Sequence, residues 1–345
     1  MRGAPARGGA LYSTPHSLSD EKGRMTMSTK VHFLNVMEGD CSIIEHDSGR
    51  VTVIDICNGN VSQSTESLAL NEGFSKTAGN FHMKDHPTDP IAYMEGIGVS
   101  GVFRMIVTHP DMDHMDGLER LFKTFNVVNF WTTENDKGDP DENNMGRYKI
   151  EDWWCYKRNR NSKDNPTALQ KRSGATGDYW TKDGITILTP TAELIKKAND
   201  SEEYNISSYS FLYTTPGGHK ILFGGDTEDD AWNHILKNYR DTVSNVDVLI
   251  APHHGRKTGG NDDYLDVLKP KLTLFGNAES KHLDYASWNS RKLLHITNNE
   301  AGNVMVEEDE TAHLFVYLEN QTFAQRFDTS GFKQKDGMYC IGYLR

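Results

Sequence analysis

Six residues, His109-Pro110-Asp111-Met112-Asp113-His114, place four metal-ligand side chains directly after the apolar, strand-like run Met105-Ile106-Val107-Thr108. Past the cluster, Met115, Leu118, Leu121, Phe122 and Phe125 recur near the helical period, so the segment reads as strand, ligand-rich turn and helix. Such a turn can aim several side chains at one point. Two imidazoles and two carboxylates suit divalent cations, and the carboxylates shift preference toward harder ions such as manganese.

Two later segments repeat the pattern of a short apolar strand delivering ligand side chains. Lys220-Ile221-Leu222-Phe223 runs through Gly224 and Gly225 to Asp226, with Glu228 two residues on. Val246-Asp247-Val248-Leu249-Ile250-Ala251 runs into Pro252, His253, His254 and Gly255. Nearer the start, Val31 to Val36 alternates like a strand, Glu38-Gly39-Asp40-Cys41 turns into Ser42-Ile43-Ile44, and Val51-Thr52-Val53-Ile54 ends on Asp55.

These motifs, in this order, resemble the metallo-β-lactamase superfamily, with Asp111 where the commonest members carry a second histidine. The spacing and the His253-His254-Gly255 element are similar to the branch holding the soluble hydrolase domain of ComEC and the bacterial phosphorylcholine esterases. The resemblance implies an α/β fold, the αββα sandwich, with metals at one edge. It implies metal ligation by His109, Asp111, Asp113, His114, Asp226 and His254, with Asp226 bridging and Asp55 supporting the ligands from behind. Asp113, His253 and Glu228 are the expected catalytic groups, His253 as proton donor or oxyanion stabiliser, although the roles within the histidine pair could be reversed.

A further histidine ligand, common in the superfamily before the strand of the bridging acid, is missing. Asn205-Ile206-Ser207-Ser208-Tyr209 stands there instead. The expected cofactors are two divalent ions, zinc or manganese, or else magnesium. Together they outweigh the three ligand carboxylates and so attract a phosphate, and water activated between them would attack phosphorus.

The expected activity is metal-dependent hydrolysis of phosphodiester bonds by a nuclease acting on DNA or RNA. The alternatives are a hydrolase of a small phosphodiester or cyclic nucleotide, and an effector subunit switched on by a protein partner in a multi-protein, defence-type system. The net charge of −12 argues against a broad nucleic-acid surface. Locally, however, residues 147–172 hold eight Lys and Arg against three acids around Trp153, Trp154 and Tyr156. Charge for phosphates and flat faces for bases is what single-stranded nucleic acid contacts need, although aromatics that anchor an inserted subdomain would read the same way. Asn205, Lys257, His282, Trp153, Trp154 and Arg158 are the candidate substrate contacts.

The rest of the chain bounds the setting. A tail over residues 1–28, rich in Gly, Ser, Pro and Arg, precedes one expected domain over 29–345, with insertions near 58–90 and 135–182. No apolar run approaches the roughly 20 residues that cross a bilayer, and four cysteines without CxxC spacing suit a reducing compartment. A cytoplasmic protein without membrane contact is expected, with a protein partner or self-association left open.

Overall fold

The computed structural model describes residues 28–60, 81–257, 260–278, 281–327 and 334–344. The N-terminal tail up to residue 27 and residues 61–80 of the first expected insertion lie outside the described residues.

Two mixed sheets face each other. The first contains β1 (Thr29–Phe33), β2 (Ser42–Glu45), β3 (Val51–Ile54), β4 (Val102–Ile106), β5 (Val127–Trp131) and β6 (Thr167–Leu169). The second is formed by β7 (Ile185–Thr189), β8 (Ser210–Thr214), β9 (Lys220–Phe223), β10 (Val248–Ile250), β11 (Leu272–Phe275) and β12 (His295–Thr297). The chain then returns to the first sheet with β13 (Val304–Glu308), β14 (Leu314–Leu318), β15 (Gln334–Lys335) and β16 (Met338–Leu344). The orders are β15-β16-β14-β13-β1-β2-β3-β4-β5-β6 and β12-β11-β10-β9-β8-β7. β3 to β6 run parallel, as do β9 to β12.

Strand periodicity explains the layering, because successive side chains point to opposite faces. Ile221 and Phe223 of β9, with Val248 and Ile250 of β10, join Val31, Phe33, Ile54 and Ile106 of the first sheet in the central core. The intervening Leu222 and Leu249 pack outward with Trp232, Ile235, Leu265 and Trp288 from helices Asp229–Asn238, Tyr264–Leu268 and Tyr285–Ser290. Across the first sheet, Met105 and Val107 meet Leu118, Leu121, Trp153 and Tyr156 from helices Leu118–Thr124 and Ile150–Asn159. Strands buried on both faces must be apolar throughout, which is why β9 and β10 read as continuous apolar runs. The result is an α/β sandwich in four layers, helix, sheet, sheet and helix.

One polar cluster is packed into the first sheet. Arg104 of β4, 1% exposed, donates to Asp183 Oδ2 at 3.0 Å, to the Thr52 hydroxyl at 2.7 Å and to the Tyr179 carbonyl at 2.8 Å. Arg50 donates to the other Asp183 oxygen at 2.9 Å.

Candidate metal centre

The parallel strands set the geometry. Asp55 follows β3, the His109 cluster follows β4, Asp226 follows β9 and His253-His254 follows β10, so each group leaves the carboxyl end of a parallel strand. Such ends are where open α/β sheets collect ligands.

After β4 the chain folds into two tight turns, with Asp111 N donating to the His109 carbonyl at 3.0 Å and His114 N to the Asp111 carbonyl at 3.1 Å. These turns gather the side chains of His109, Asp113 and His114 on one side. At the second sheet, Gly225 adopts φ 51° beneath Asp226, where a Cβ would lie 2.4 Å from the Tyr209 carbonyl. His253 and His254 both hold positive φ, 50° and 57°. Two consecutive non-glycine residues there carry backbone strain, the kind of outlier found at functional sites.

The side chains converge. His114 Nε2 lies 3.4 Å from Asp226 Oδ1 and 3.9 Å from Asp113 Oδ2. His254 Nε2 lies 3.6 Å from Asp113 Oδ2 and 3.9 Å from Asp226 Oδ2, and His109 Nε2 lies 3.8 Å from Asp226 Oδ2. From behind, Asp55 accepts from Thr108 N at 2.7 Å, from the Thr108 hydroxyl at 2.8 Å and from His114 Nδ1 at 2.9 Å. Asp40 Oδ1 stands 3.1 Å from His254 Nδ1. Asp55 therefore sits behind the His114 imidazole and turns its Nε2 toward the centre, while Asp40 stands beside His254.

Electrostatics follow from this crowding. Burial opposes charge on His114, yet Asp226, Asp55 and Asp113 raise its pKa well above the ordinary imidazole value. Burial likewise opposes charge on His254, and Asp40 and Asp226 raise it to about 10. For Asp226, burial works against ionisation, while His114, His254 and His109 hold the carboxyl well below its usual range. His253 is different: burial lowers its pKa, only partly offset by Asp226, whose Oδ2 is 3.7 Å from His253 Nε2.

The residues fit a divalent cation. His109, His114 and Asp226 form one set with ligand atoms within 4.8 Å of one another; Asp113, His114 and His254 form a second, and Asp40, Asp226 and His254 a third. Among the described residues, the buried His109 Nε2, His114 Nε2, His254 Nε2 and Asp226 Oδ1 have no hydrogen-bond partner. Leaving such atoms unpaired costs on the order of 1–3 kcal/mol each, and a shared cation would offset that cost.

Not every sequence-based expectation ends at this point. Asp111 is reached by His109 Nε2 at 3.5 Å on one oxygen and by Lys137 Nζ on the other. Glu228 precedes the helix Asp229–Asn238 and lines a cleft with Lys197, Ile206 and Asp230; burial, then Glu203 and Asp226, raise its pKa. Asn205 is half-buried in the short helix Tyr204–Ser207. His282 and Lys257 are exposed on adjoining segments, with Lys257 N donating to the His282 carbonyl at 2.8 Å beside the histidine turn.

Trp153 requires a correction. It is 1% exposed, stacks on Tyr156 at 5.5 Å and donates to Asp139 Oδ1, so it is a core residue and not a substrate contact. Trp154, one position on and rotated about 100° around the helix, is exposed, with Lys157 Nζ 5.1 Å from its ring. Half of the eight cations of the basic segment are also paired with acids. Arg147 meets Asp116, Lys157 meets Asp139, Arg158 meets Glu119 and Arg172 meets Glu134.

Sequence reasoning missed Asp40 and Lys137. The turn Gly39-Asp40 before β2 is the signal that could have marked Asp40, since it leaves the same hairpin end as the expected ligands.

No protein-family model matches the chain, and no curated protein matches it. Among solved structures it is similar to a mutant of the CmlA beta-hydroxylase, at 11% identity and TM-score 0.43, over 80% of this chain and 53% of that one. It is also similar to the metallo-beta-lactamase SMB-1 bound to 2-mercaptoethanesulfonate, at 13% identity and TM-score 0.29, over 64% of this chain and 79% of that one. The chain thus spans about half the length of the CmlA chain it matches. The chain's own topology, two mixed sheets face to face with helices outside and the candidate centre at the carboxyl ends of parallel strands from both, is an αββα sandwich.

Proposed function

We propose that this protein is a metal-dependent hydrolase of phosphodiester bonds. One observation carries the reading: three buried imidazole nitrogens and one carboxylate oxygen, all without hydrogen-bond partners among the described residues, face one another across the two sheets. His109, Asp113, His114, Asp226 and His254 would hold divalent ions, zinc, manganese or magnesium, with Asp111 at the outer side. Ions held there supply Lewis acidity toward a phosphoryl oxygen and lower the pKa of water.

The chain's own residues do the remainder. Asp55 fixes the direction in which His114 presents its Nε2, and Asp40 places a carboxylate beside the Nδ1 of His254. Asp226, buried and ionised, belongs to two of the three sets, with His109 and His114 in one and with Asp40 and His254 in the other. His253 is 24% exposed on its side chain, so it can face a substrate while His254 cannot. Its lowered pKa keeps the imidazole neutral at pH 7, suited to donating a hydrogen bond to the phosphoryl or leaving oxygen.

Nucleic acid is the substrate that the aromatic and basic segment suggests. A small phosphodiester or cyclic nucleotide is the second reading, and the pairing of Arg147, Lys157, Arg158 and Arg172 with acids favours it, because it takes up half of the segment's eight cations.

The test is cleavage of end-labelled single- and double-stranded DNA, alongside a small aryl phosphodiester, with manganese, magnesium or zinc. Metal-dependent turnover that Asp226→Ala removes supports the reading. Turnover that survives Asp226→Ala, or none on either class of substrate, counts against it. Activity on the small ester alone selects the second reading.

A further inference from the structure

Lys137, on the segment that follows β5, reaches onto Asp111, with Nζ against Oδ1. Its position is held from the other side. The ammonium lies 5.1 Å from the centre of the Tyr204 ring, a cation–π distance. Tyr204 is itself buried and donates its hydroxyl to Asp136 Oδ1 at 3.2 Å, while Asp136 N donates to Asn199 Oδ1 at 3.3 Å.

The ligand atoms of the centre are shared out unevenly. Asp113, His114, His254 and Asp226 present nitrogens and oxygens toward one another. Asp111 belongs to none of the three ligand sets among the described residues. One of its oxygens faces His109 and the other is taken by the ammonium. The ammonium already neutralises the Asp111 carboxylate. A further ion beside Asp111 would meet Lys137 as a like charge at short range.

We infer that Lys137 holds one of two cation positions closed: a divalent ion binds tightly among Asp113, His114, Asp226 and His254, and a second binds at His109 and Asp111 only weakly while Lys137 stands there. The inference rests on the metal-centre reading and extends it to the order and strength of loading.

Metal-free full-length protein would be titrated with manganese, following heat by calorimetry and free ion by electron paramagnetic resonance. The wild type is expected to take one ion tightly and a second at least about tenfold more weakly. Lys137→Met and Lys137→Gln should each tighten the second step by roughly tenfold or more, the scale of one removed like charge. Adding Asp111→Asn to Lys137→Met should abolish the gain. Two equal steps in the wild type, a second step unmoved by both single variants, or a gain that survives Asp111→Asn would each overturn this inference and leave the metal centre standing. No tight step in any of the proteins would overturn the centre itself, and this inference with it.

Discussion

Asp55 Oδ2 accepts the Nδ1 proton of His114 at 2.9 Å, and that bond decides which imidazole nitrogen is left to face Asp226. An ionised carboxylate can only accept, so Nδ1 must carry a hydrogen, and Nε2 is the nitrogen that can give up its proton to an ion at the centre. The carboxyl cannot swing away, because Thr108 N and the Thr108 hydroxyl hold it as well. Asp55→Asn can offer an amide proton instead and invert the tautomer. The variant is expected to bind a divalent ion about 10–100-fold more weakly with its circular dichroism unchanged, and calorimetry checks this. Unaltered affinity would show that Asp55 serves the backbone alone.

Gly39 has a different part in the centre. Its φ is 143°, and a Cβ there would lie 2.3 Å from the Asp113 carbonyl oxygen and 2.7 Å from Cys57 Sγ. Neither neighbour can retreat cheaply, since one is backbone and the other a buried side chain. Gly39→Ala should displace the Asp113 turn, weakening ion binding about tenfold or more while costing roughly 1–3 kcal/mol of stability, the usual range for overpacking. Denaturant unfolding and an ion titration on one preparation measure both effects.

The Arg104–Asp183 pair should behave as a buried charge does when its partner is lost. Arg104→Met leaves Asp183 with only Arg50 and Ser48, and is expected to destabilise by about 3 kcal/mol, the lower end for a broken buried pair. Replacing both, as Arg104→Met with Asp183→Leu, should recover part of that loss because no uncompensated charge stays buried. Urea unfolding of the single and double variants is the comparison. A double variant no better than the sum of its parts would count against the charge argument.

His46 makes stability depend on acidity at a place remote from the metal ligands. It is buried, donates or accepts one hydrogen bond with Thr52 at 2.9 Å, and burial, with Arg104 and Arg50 nearby, lowers its pKa from 6.5 to about 4 despite the opposing Asp183. The unfolded chain takes up a proton near pH 6.5 and the folded one near 4. The stabilisation is therefore complete above 6.5 and is lost as the pH falls through that window. Between pH 7.5 and 4.5 the wild type should lose roughly 2–3 kcal/mol more than His46→Leu. Equal losses in urea melts would remove His46 as the cause.

Much of the sandwich was legible because its strands obey local rules. Ile221 to Phe223 and Val248 to Ile250 are apolar on both faces and end in glycine or proline, so their ends could be found and with them Asp226 and the histidine pair. Asp40 and Lys137 were not legible. Each is a single polar residue in a loop whose meaning comes from what packs beside it, His254 from a distant strand in one case and Asp111 in the other. The pairing of the basic segment was not legible for the same reason: Asp116 and Glu119, which meet Arg147 and Arg158, come from far earlier in the chain. Trp153 and Trp154 look alike in sequence, and only the helix's seating on Leu118–Thr124 turns one inward.

Asp113 and His114 leave the first sheet, whereas Asp226 and His254 leave the second. An ion gripped by all of them would act as a rivet through the rim of both leaves, so parting the leaves and releasing the ion would become one event. Resistance to unfolding should then climb with free ion concentration by mass action, and a chelator would work as a mechanical release at that rim.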